Sequence, residues 1–297
     1  MNSPQRWTVR SLLAWANPWL RERGIVDSPR LDAELLLAHA LGVARLALFL
    51  DPDRPLVADE LAAFKERIRR RAQREPVAYI VGRKAFYKAE FVVSPDVLIP
   101  RPETECLVEA ALRHLHQRDA ARVLDLCTGS GAVLLSLLGD RPADSGVGSD
   151  LSEAALAIAR DNARRLGLSQ RVTWVQGDLF AALAPAENGS GSWSFDLILS
   201  NPPYVADAEM AQLAVEIRDH EPELALRGGR DGMDLYRRLV PEAVPYLAPG
   251  GALMVEIGAQ QGRGVADLFT RAGLAPVAVL KDYAGLDRVV TGRVVAL

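Results

Sequence analysis

The chain has 297 residues, room for about two domains at ~150 residues each. Its 49% hydrophobic and 25% charged residues exclude collagen-like, disordered and heptad-dominated architectures, and its longest apolar uncharged run, Leu126 to Gly139, has 14 residues against the ~20 a bilayer requires. Net charge is 35 minus 38, or −3, which disfavours a general nucleic-acid binder, and Cys106 and Cys127 are too few for a disulfide framework and lack zinc-ligand spacing, as suits a reducing cytoplasm.

Taken along the chain, residues 11–20 resemble a secretory core only superficially, because Asn17-Pro18 interrupts them and Arg-Glu-Arg follows. They read instead as a helix capped by Thr8, with Val9, Leu12, Leu13, Ala16 and Leu20 on its apolar side. Ser28-Pro29 predicts the N-terminus of a second helix and Gly42 its end. A third helix is expected from Ala58 to Arg74, with Leu61, Phe64 and Ile68 at helical spacing. It carries a basic run, Lys65, Arg67, Arg69, Arg70, Arg71 and Arg74, that reads as a solvated face or as a docking surface for an acidic or ribosome-associated partner. Residues 1–100 hold 16 basic and 12 acidic side chains, net +4, leaving 19 minus 26, or −7, for the remainder, so the two halves are expected to meet different partners. From Tyr79 to Val93 aromatic and β-branched residues around Lys88-Ala89 predict a hairpin joining two domains.

After Pro100 strands alternate with helices. Arg122–Leu126, Gly146–Ser149, Arg171–Gln176, Phe195–Ser200 and Ala252–Ile257 read as strands, Ala132–Leu138 and Ser152–Leu166 as helices, and Gly189–Gly191 as part of a polar surface loop. This pattern predicts an open, mostly parallel α/β sheet, with ligands beyond the carboxyl ends of its strands. The first strand ends in Asp125-Leu126-Cys127-Thr128-Gly129-Ser130-Gly131. A P-loop needs Gly-Lys-Ser or Gly-Lys-Thr, where this chain has Gly131-Ala132, and a dinucleotide turn needs a third glycine where Leu134 stands. Asp150 follows the second strand, placed to accept from ribose hydroxyls or to cap the next helix. Asp178 follows the third, where it can accept from an adenine amine with Leu179 and Phe180 over the ring. Together these sites suggest an extended adenosine ligand with no required phosphate. The fourth strand opens into Asn201-Pro202-Pro203-Tyr204. Two prolines stiffen that turn and remove donors, Asn201 offers one acceptor and two donors, and Tyr204 adds a flat face. A planar NH2 group fits such a pocket.

Asp-Leu-Cys-Thr-Gly-Ser-Gly, Asp150, Gly-Asp178 and Asn-Pro-Pro-Tyr together resemble the S-adenosylmethionine-dependent methyltransferases that modify planar nitrogens. Glu75 to Gly82, Leu98 to Glu105 and Asp282 to Val290 are similar to the peptide chain release factor glutamine methyltransferases, the PrmC or HemK family, over nearly the whole chain. The resemblance implies a Rossmann-like class I methyltransferase domain with a mostly parallel seven-stranded sheet at 102–297, preceded by an all-α substrate-docking domain at 1–77 and a β-hairpin linker at 78–101. It implies methylation of the glutamine amide in the Gly-Gly-Gln loop of bacterial class I release factors, with S-adenosyl-L-methionine as cofactor and S-adenosyl-L-homocysteine as product. By the same resemblance Cys127, Thr128, Gly129, Ser130 and Gly131 wrap the methionine part, Asp150 holds the ribose, Asp178 and Leu179 lie near the adenine, and Asn201 reaches both cofactor and substrate. Asn201, Pro202, Pro203 and Tyr204 receive the glutamine, with Asn201, Pro202 and Tyr204 catalytic. Cys127 stands where the family usually has glycine. A cytoplasmic monomer without metal, membrane or required nucleic acid is expected.

Two alternatives stay open. His220-Glu221-Pro222-Glu223-Leu224-Ala225-Leu226 is similar to the sister family that acts on a large-subunit ribosomal protein, and Asn-Pro-Pro-Tyr is shared with nucleic-acid adenine methyltransferases, for which the acidic second half is a poor surface. Glu103 and Glu105 either border the site or are first-turn acids favoured by a helix dipole.

Overall fold

The structure, a computed structural model, describes residues 6–183 and 193–294; the expected loop at Gly189–Gly191 lies outside the described residues. Two units are present. One runs up to Gly82 and includes Ala214–His220; the other holds Arg83–Leu213 and the chain from Glu221 onward.

In the first unit, helix α1 (Val9–Arg21) starts at Thr8, whose Oγ1 accepts from Ser11 N at 3.2 Å. Helix α2 (Pro29–Leu41) ends at Gly42 in a left-handed conformation, φ 64°. Ser28 precedes it but donates to Asp32 Oδ1 at 2.8 Å, so the expected side-chain cap is not made. Short α3 (Ala47–Leu50) and long α4 (Ala58–Ala72) follow, then α5 (Val77–Val81). Val9, Leu12, Ala16, Leu20, Leu36, Leu37, Phe64, Ile68 and Ile80 form the core between these helices. The Tyr79 end of the expected hairpin is therefore helical. Gly82, at φ 78°, ends α5 and releases the chain into extended structure.

The basic run on α4 is not one solvated face. Only Lys65 and Arg69 of the run are exposed. Arg70 donates twice to Glu75, at 2.5 and 2.7 Å. Arg71 is buried, with Nε 2.7 Å from Asp32 Oδ2 and Nη2 3.1 Å from Glu216 Oε1. Arg74 reaches Glu216 Oε2 at 2.8 Å and also donates to the Gly24 carbonyl. Glu216 lies on α10 (Val215–His220), a segment 145 residues from Arg71 in sequence. Periodicity assigns these arginines to solvent because it cannot see that distant carboxylate.

In the second unit, a hairpin of β1 (Arg83–Phe86) and β2 (Ala89–Val92) leads to α6 (Glu105–Leu115). The hairpin packs into this unit's core through Phe86 and Phe91. Asn162 seals its edge, accepting from Val92 N at 2.7 Å and donating to Val92 O at 3.1 Å. Then come β3 (Arg122–Leu126), α7 (Ala132–Asp140), β4 (Ser145–Asp150), α8 (Glu153–Arg165), β5 (Val172–Gln176) and β6 (Phe195–Ser200). Short α9 (Asp207–Met210), α11 (Asp234–Ala243), β7 (Leu247–Glu256), α12 (Gly262–Arg271), β8 (Ala278–Lys281) and β9 (Asp287–Arg293) complete the unit.

The sheet is seven-stranded in the order β5-β4-β3-β6-β7-β9-β8. Strands β5 through β7 pair in parallel; β9 runs antiparallel to β7 and β8 antiparallel to β9. Alternation along the strands builds a core on each face. Val123, Leu197, Leu199 and Met254 pack with α6 and α7, while Leu124, Ile198, Leu253 and Val255 pack with Tyr236, Leu239 and Phe269 of α11 and α12. Chain order reverses between β3 and β6, which opens a crevice at their carboxyl ends.

Removing Arg71 strands Asp32, which is 6% exposed. Arg71→Ala is expected to lose about 3–5 kcal/mol in urea unfolding followed by tryptophan fluorescence; a loss below about 1 kcal/mol would reject the pairing as a structural tie.

Candidate active site

A cleft opens at the β3–β6 switch point, lined by Cys127, Thr128, Gly129 and Ser130 after β3, Asp150 at the end of β4, Asp178 and Leu179 after β5, and Asn201 and Pro203 after β6. Asp125 and Thr104 also line it. Gly131, Pro202 and Tyr204 are outside that lining.

The turn after β3 needs backbone shapes that favour glycine. Cys127, Gly129 and Gly131 have φ of 56°, 53° and 77°, so cysteine at 127 occupies a left-handed position that a glycine adopts without strain. Burial, with Asp150 nearby, pushes the Cys127 thiol up to about 12, leaving it neutral and unreactive. Gly131 is held against Trp174: a Cβ there would lie 3.0 Å from the indole. It shapes the turn without facing the cleft.

Asp150 ties this turn to β4. Its Oδ2 accepts from Gly129 N and its Oδ1 from Ser152 N, each at 2.9 Å. Capping of α8 falls to Ser152, whose Oγ accepts from Ala155 N at 3.2 Å. The Leu151 amide also favours the ionised form of Asp150, yet burial, the larger cause, raises this carboxyl above its ordinary value. Beneath it, Asp125 accepts from Thr128 Oγ1 at 2.6 Å. Burial pushes Asp125 to about 7, with Asp150's charge acting in the same direction.

Asp178 is half engaged, because Oδ2 accepts from Arg238 Nη2 at 2.7 Å. Leu179 is buried beside it at φ 49°. Phe180, expected with Leu179 over a ring in the cleft, is instead stacked on Tyr246 in the core at 4.7 Å.

The Asn-Pro-Pro-Tyr turn is braced from several sides. Asn201 Nδ2 donates to Thr104 Oγ1 at 3.3 Å. Among the described residues no donor meets the Pro202 carbonyl, and Pro202 itself is buried. The Tyr204 carbonyl accepts from Gln261 Nε2 at 3.0 Å, and its hydroxyl points to Glu256 Oε1 at 3.5 Å. Burial pushes the Tyr204 phenol up to about 12, so it stays a donor. Gly232 makes room for this turn: at φ 74°, any Cβ would lie 2.3 Å from the Tyr204 carbonyl oxygen.

Sequence reasoning singled out Glu103 and Glu105 and missed the residue between them. Thr104 is what faces the cleft, whereas Glu105 accepts from Tyr87 N at 2.9 Å. Glu256 was also missed, although a lone acid in the apolar stretch Leu253-Met254-Val255-Glu256-Ile257 is itself a signal. Glu221 has a structural duty, accepting from Ile99 N at 3.2 Å and Arg101 Nη2 at 2.6 Å. Its neighbours Pro222, Leu224 and Ala225 line the cleft. Gly232→Ala is expected to cost about 2 kcal/mol or more through left-handed strain and the clash with Tyr204; an unchanged melting temperature would contradict that packing.

Two protein-family models match the chain: the PrmC N-terminal domain over residues 11–82 and the Methyltransferase small domain over residues 106–272. A release factor glutamine methyltransferase from Geobacter sulfurreducens is 45% identical over 291 residues, covering 98% of this chain and 98% of the relative. Another, from Cereibacter sphaeroides, is 48% identical over 283 residues, covering 95% and 96%. Among solved structures, the hMettl16 catalytic domain in complex with the MAT2A 3'UTR hairpin 6 superposes with a TM-score of 0.55 at 12% identity, over 70% of this chain and 75% of that one, a likeness of fold alone. With this similarity extending over almost its full length, the chain belongs to the release factor glutamine methyltransferase family.

Proposed function

We propose that this chain methylates the side-chain amide nitrogen of the glutamine in the Gly-Gly-Gln loop of a bacterial class I release factor, using S-adenosylmethionine. The observation that carries the reading is the braced Asn-Pro-Pro-Tyr turn: Asn201 has its amide nitrogen on Thr104, which leaves its carbonyl oxygen for a ligand, next to an acidic cleft on the adjoining strand ends.

The cleft suits the cofactor. Asp125, Asp150 and Asp178 supply carboxylates for a cation and for hydroxyl donors, the Cys127–Ser130 turn offers closely approachable backbone, and Leu179 supplies an apolar wall. In this reading Asp150 holds the ribose hydroxyls and Asp178 and Leu179 border the adenine. The bound cofactor supplies an electrophilic methyl group on a sulfonium.

The protein's task is then positional. An amide nitrogen is a weak nucleophile because its lone pair is delocalised into the carbonyl. Asn201 Oδ1 accepts one amide hydrogen and the Pro202 carbonyl the other, which raises electron density on nitrogen and aims it at the methyl. Tyr204 stiffens the turn from behind through Glu256 and Gln261. Orientation of this kind lowers barriers by ~7 kcal/mol or more. No strong base is needed before attack: as the nitrogen–methyl bond forms, the methyl–sulfur bond breaks, its electron pair leaves with the thioether of S-adenosyl-L-homocysteine, and the nitrogen, now acidic, releases its proton to solvent.

Labelled S-adenosylmethionine offered with release factor, ribosomal proteins or DNA is expected to label release factor, and a factor with alanine in place of the Gly-Gly-Gln glutamine is expected to stay unlabelled. Label on a ribosomal protein or DNA instead would replace the substrate assignment. Asn201→Ala is expected to remove nearly all turnover while cofactor affinity, read by calorimetry, changes only a few fold; retained turnover would defeat the role of Asn201.

A further inference from the structure

Glu256 ends β7, one residue beyond Val255, which pairs with Ser200 immediately before Asn201. It is 1% exposed, and its Oε2 is sealed from water without a hydrogen-bond partner among the described residues. A buried, half-satisfied carboxyl is costly, so its place behind the methyl-accepting turn calls for a function. Its surroundings are specific. Tyr204 directs its hydroxyl at Oε1 from 3.5 Å, the Thr104 hydroxyl favours the ionised form of the carboxyl, and Thr104 Oγ1 is the acceptor that holds Asn201 Nδ2.

We propose that Glu256 is a positioning residue which, acting through Thr104, decides which end of the Asn201 carboxamide faces the substrate. This rests on the reading of Asn201 as an acceptor for the glutamine amide. A hydroxyl has one hydrogen. When Glu256 is ionised it can only accept, so the Thr104 hydrogen points to it and the Thr104 oxygen is left to accept from Asn201 Nδ2. That leaves Asn201 Oδ1 toward the cleft. When Glu256 is protonated it becomes a donor to Thr104, whose own hydrogen turns to Asn201 and favours the flipped carboxamide. A flipped Asn201 presents NH2 to the substrate's NH2, donor against donor.

The switch falls in a useful range. Burial is the main cause that pushes Glu256 to about 7, and Glu103 adds a like charge; Thr104, Tyr204 and the Arg288 cation oppose it. The other groups facing it do not titrate there. Cys106 on α6, Tyr204 and Tyr236 on α11 are all raised above their ordinary values, mainly by burial. Arg288 on β9 is paired with Asp282 and stays charged. Asp125 also lies near 7, but on the cofactor side of the cleft, so its titration appears in cofactor affinity. The competent arrangement is therefore lost as pH falls through about 7.

The experiment is the pH dependence of kcat for release factor at saturating cofactor, from pH 5.5 to 8.5. Wild-type kcat is expected to rise about tenfold per pH unit below 7 and level off above it. Glu256→Gln, which cannot titrate but keeps an acceptor oxygen that its amide can turn toward Thr104, is expected to be flat with pH, with cofactor affinity and melting temperature held near wild type. Thr104→Val should be at least tenfold slower at pH 8 and Thr104→Ser should recover that loss. A substrate-free readout separates this idea from the function reading: the Asn201 side-chain 15N signals should shift with a midpoint near 7 in wild type and stay constant in Glu256→Gln. If Glu256→Gln keeps the wild-type pH profile, or the 15N signals do not titrate, the positioning role fails. If wild type methylates no release factor while those signals titrate as described, the substrate reading fails and the switch stands.

Discussion

Withdrawal of carboxylates from water organises the active end of the sheet. Asp125, Asp150, Glu221 and Glu256 are all largely buried, and a buried acid must collect donors or change its protonation. Each collects them from a different segment. Asp150 draws in the Gly129 and Ser152 amides, Asp125 the Thr128 hydroxyl, Glu221 the Ile99 amide and Arg101, and Glu256 the Tyr204 hydroxyl. The result is a set of ties between strand ends and the turns that follow them. The parallel sheet sets the spacing of those ends, and the acids fix the loops upon it.

The same constraint explains why the site was legible in sequence only in part. Turn chemistry is local, so the glycine-rich turn after β3, Asp150 after β4 and Asn-Pro-Pro-Tyr after β6 can be read from spacing, and of these the structure brings Cys127 to Ser130, Asp150, Asn201 and Pro203 to one cleft. The five expected strands are all present, with the one expected at Ala252–Ile257 running from Leu247 to Glu256. Residues that act through distant partners are different. Thr104 and Asn201 are 97 positions apart, and Tyr204 and Glu256 are 52 apart. Nothing periodic connects them, so an exposed-looking threonine between two glutamates passes unnoticed. Phe180 fails for a related reason: its neighbour Leu179 lines the cleft, but a left-handed residue at 179 turns the next side chain toward Tyr246.

The N-terminal unit shows the reverse error, in which pattern reading promised more surface than exists. Five basic residues on one helix and a sixth just past its end suggest a face for acidic partners, yet Asp32, Glu75 and Glu216 engage Arg70, Arg71 and Arg74. Net charge counted along a sequence overstates the field available to a partner whenever the counter-charges lie far away in the chain. The unit's positive balance is real, but much of it is neutralised where it arises.

An asparagine, rather than an aspartate, at 201 follows from this crowding. A carboxylate there would bring another negative charge to a cleft that already holds Asp125, Asp150 and Asp178, and like charges in poor solvent drive protonation. A protonated acid beside Thr104 would be a donor of uncertain direction. A carboxamide avoids both problems. It never titrates, and its two ends differ, so one can be anchored as donor to Thr104 while the other remains an acceptor. What the carboxamide lacks is an intrinsic preference between its two orientations, since NH2 and oxygen are nearly the same size. The neighbouring hydroxyl and the charge behind it must supply that preference. In the proposed reaction, the pocket's grip on a substrate amide is therefore specified by how it grips its own.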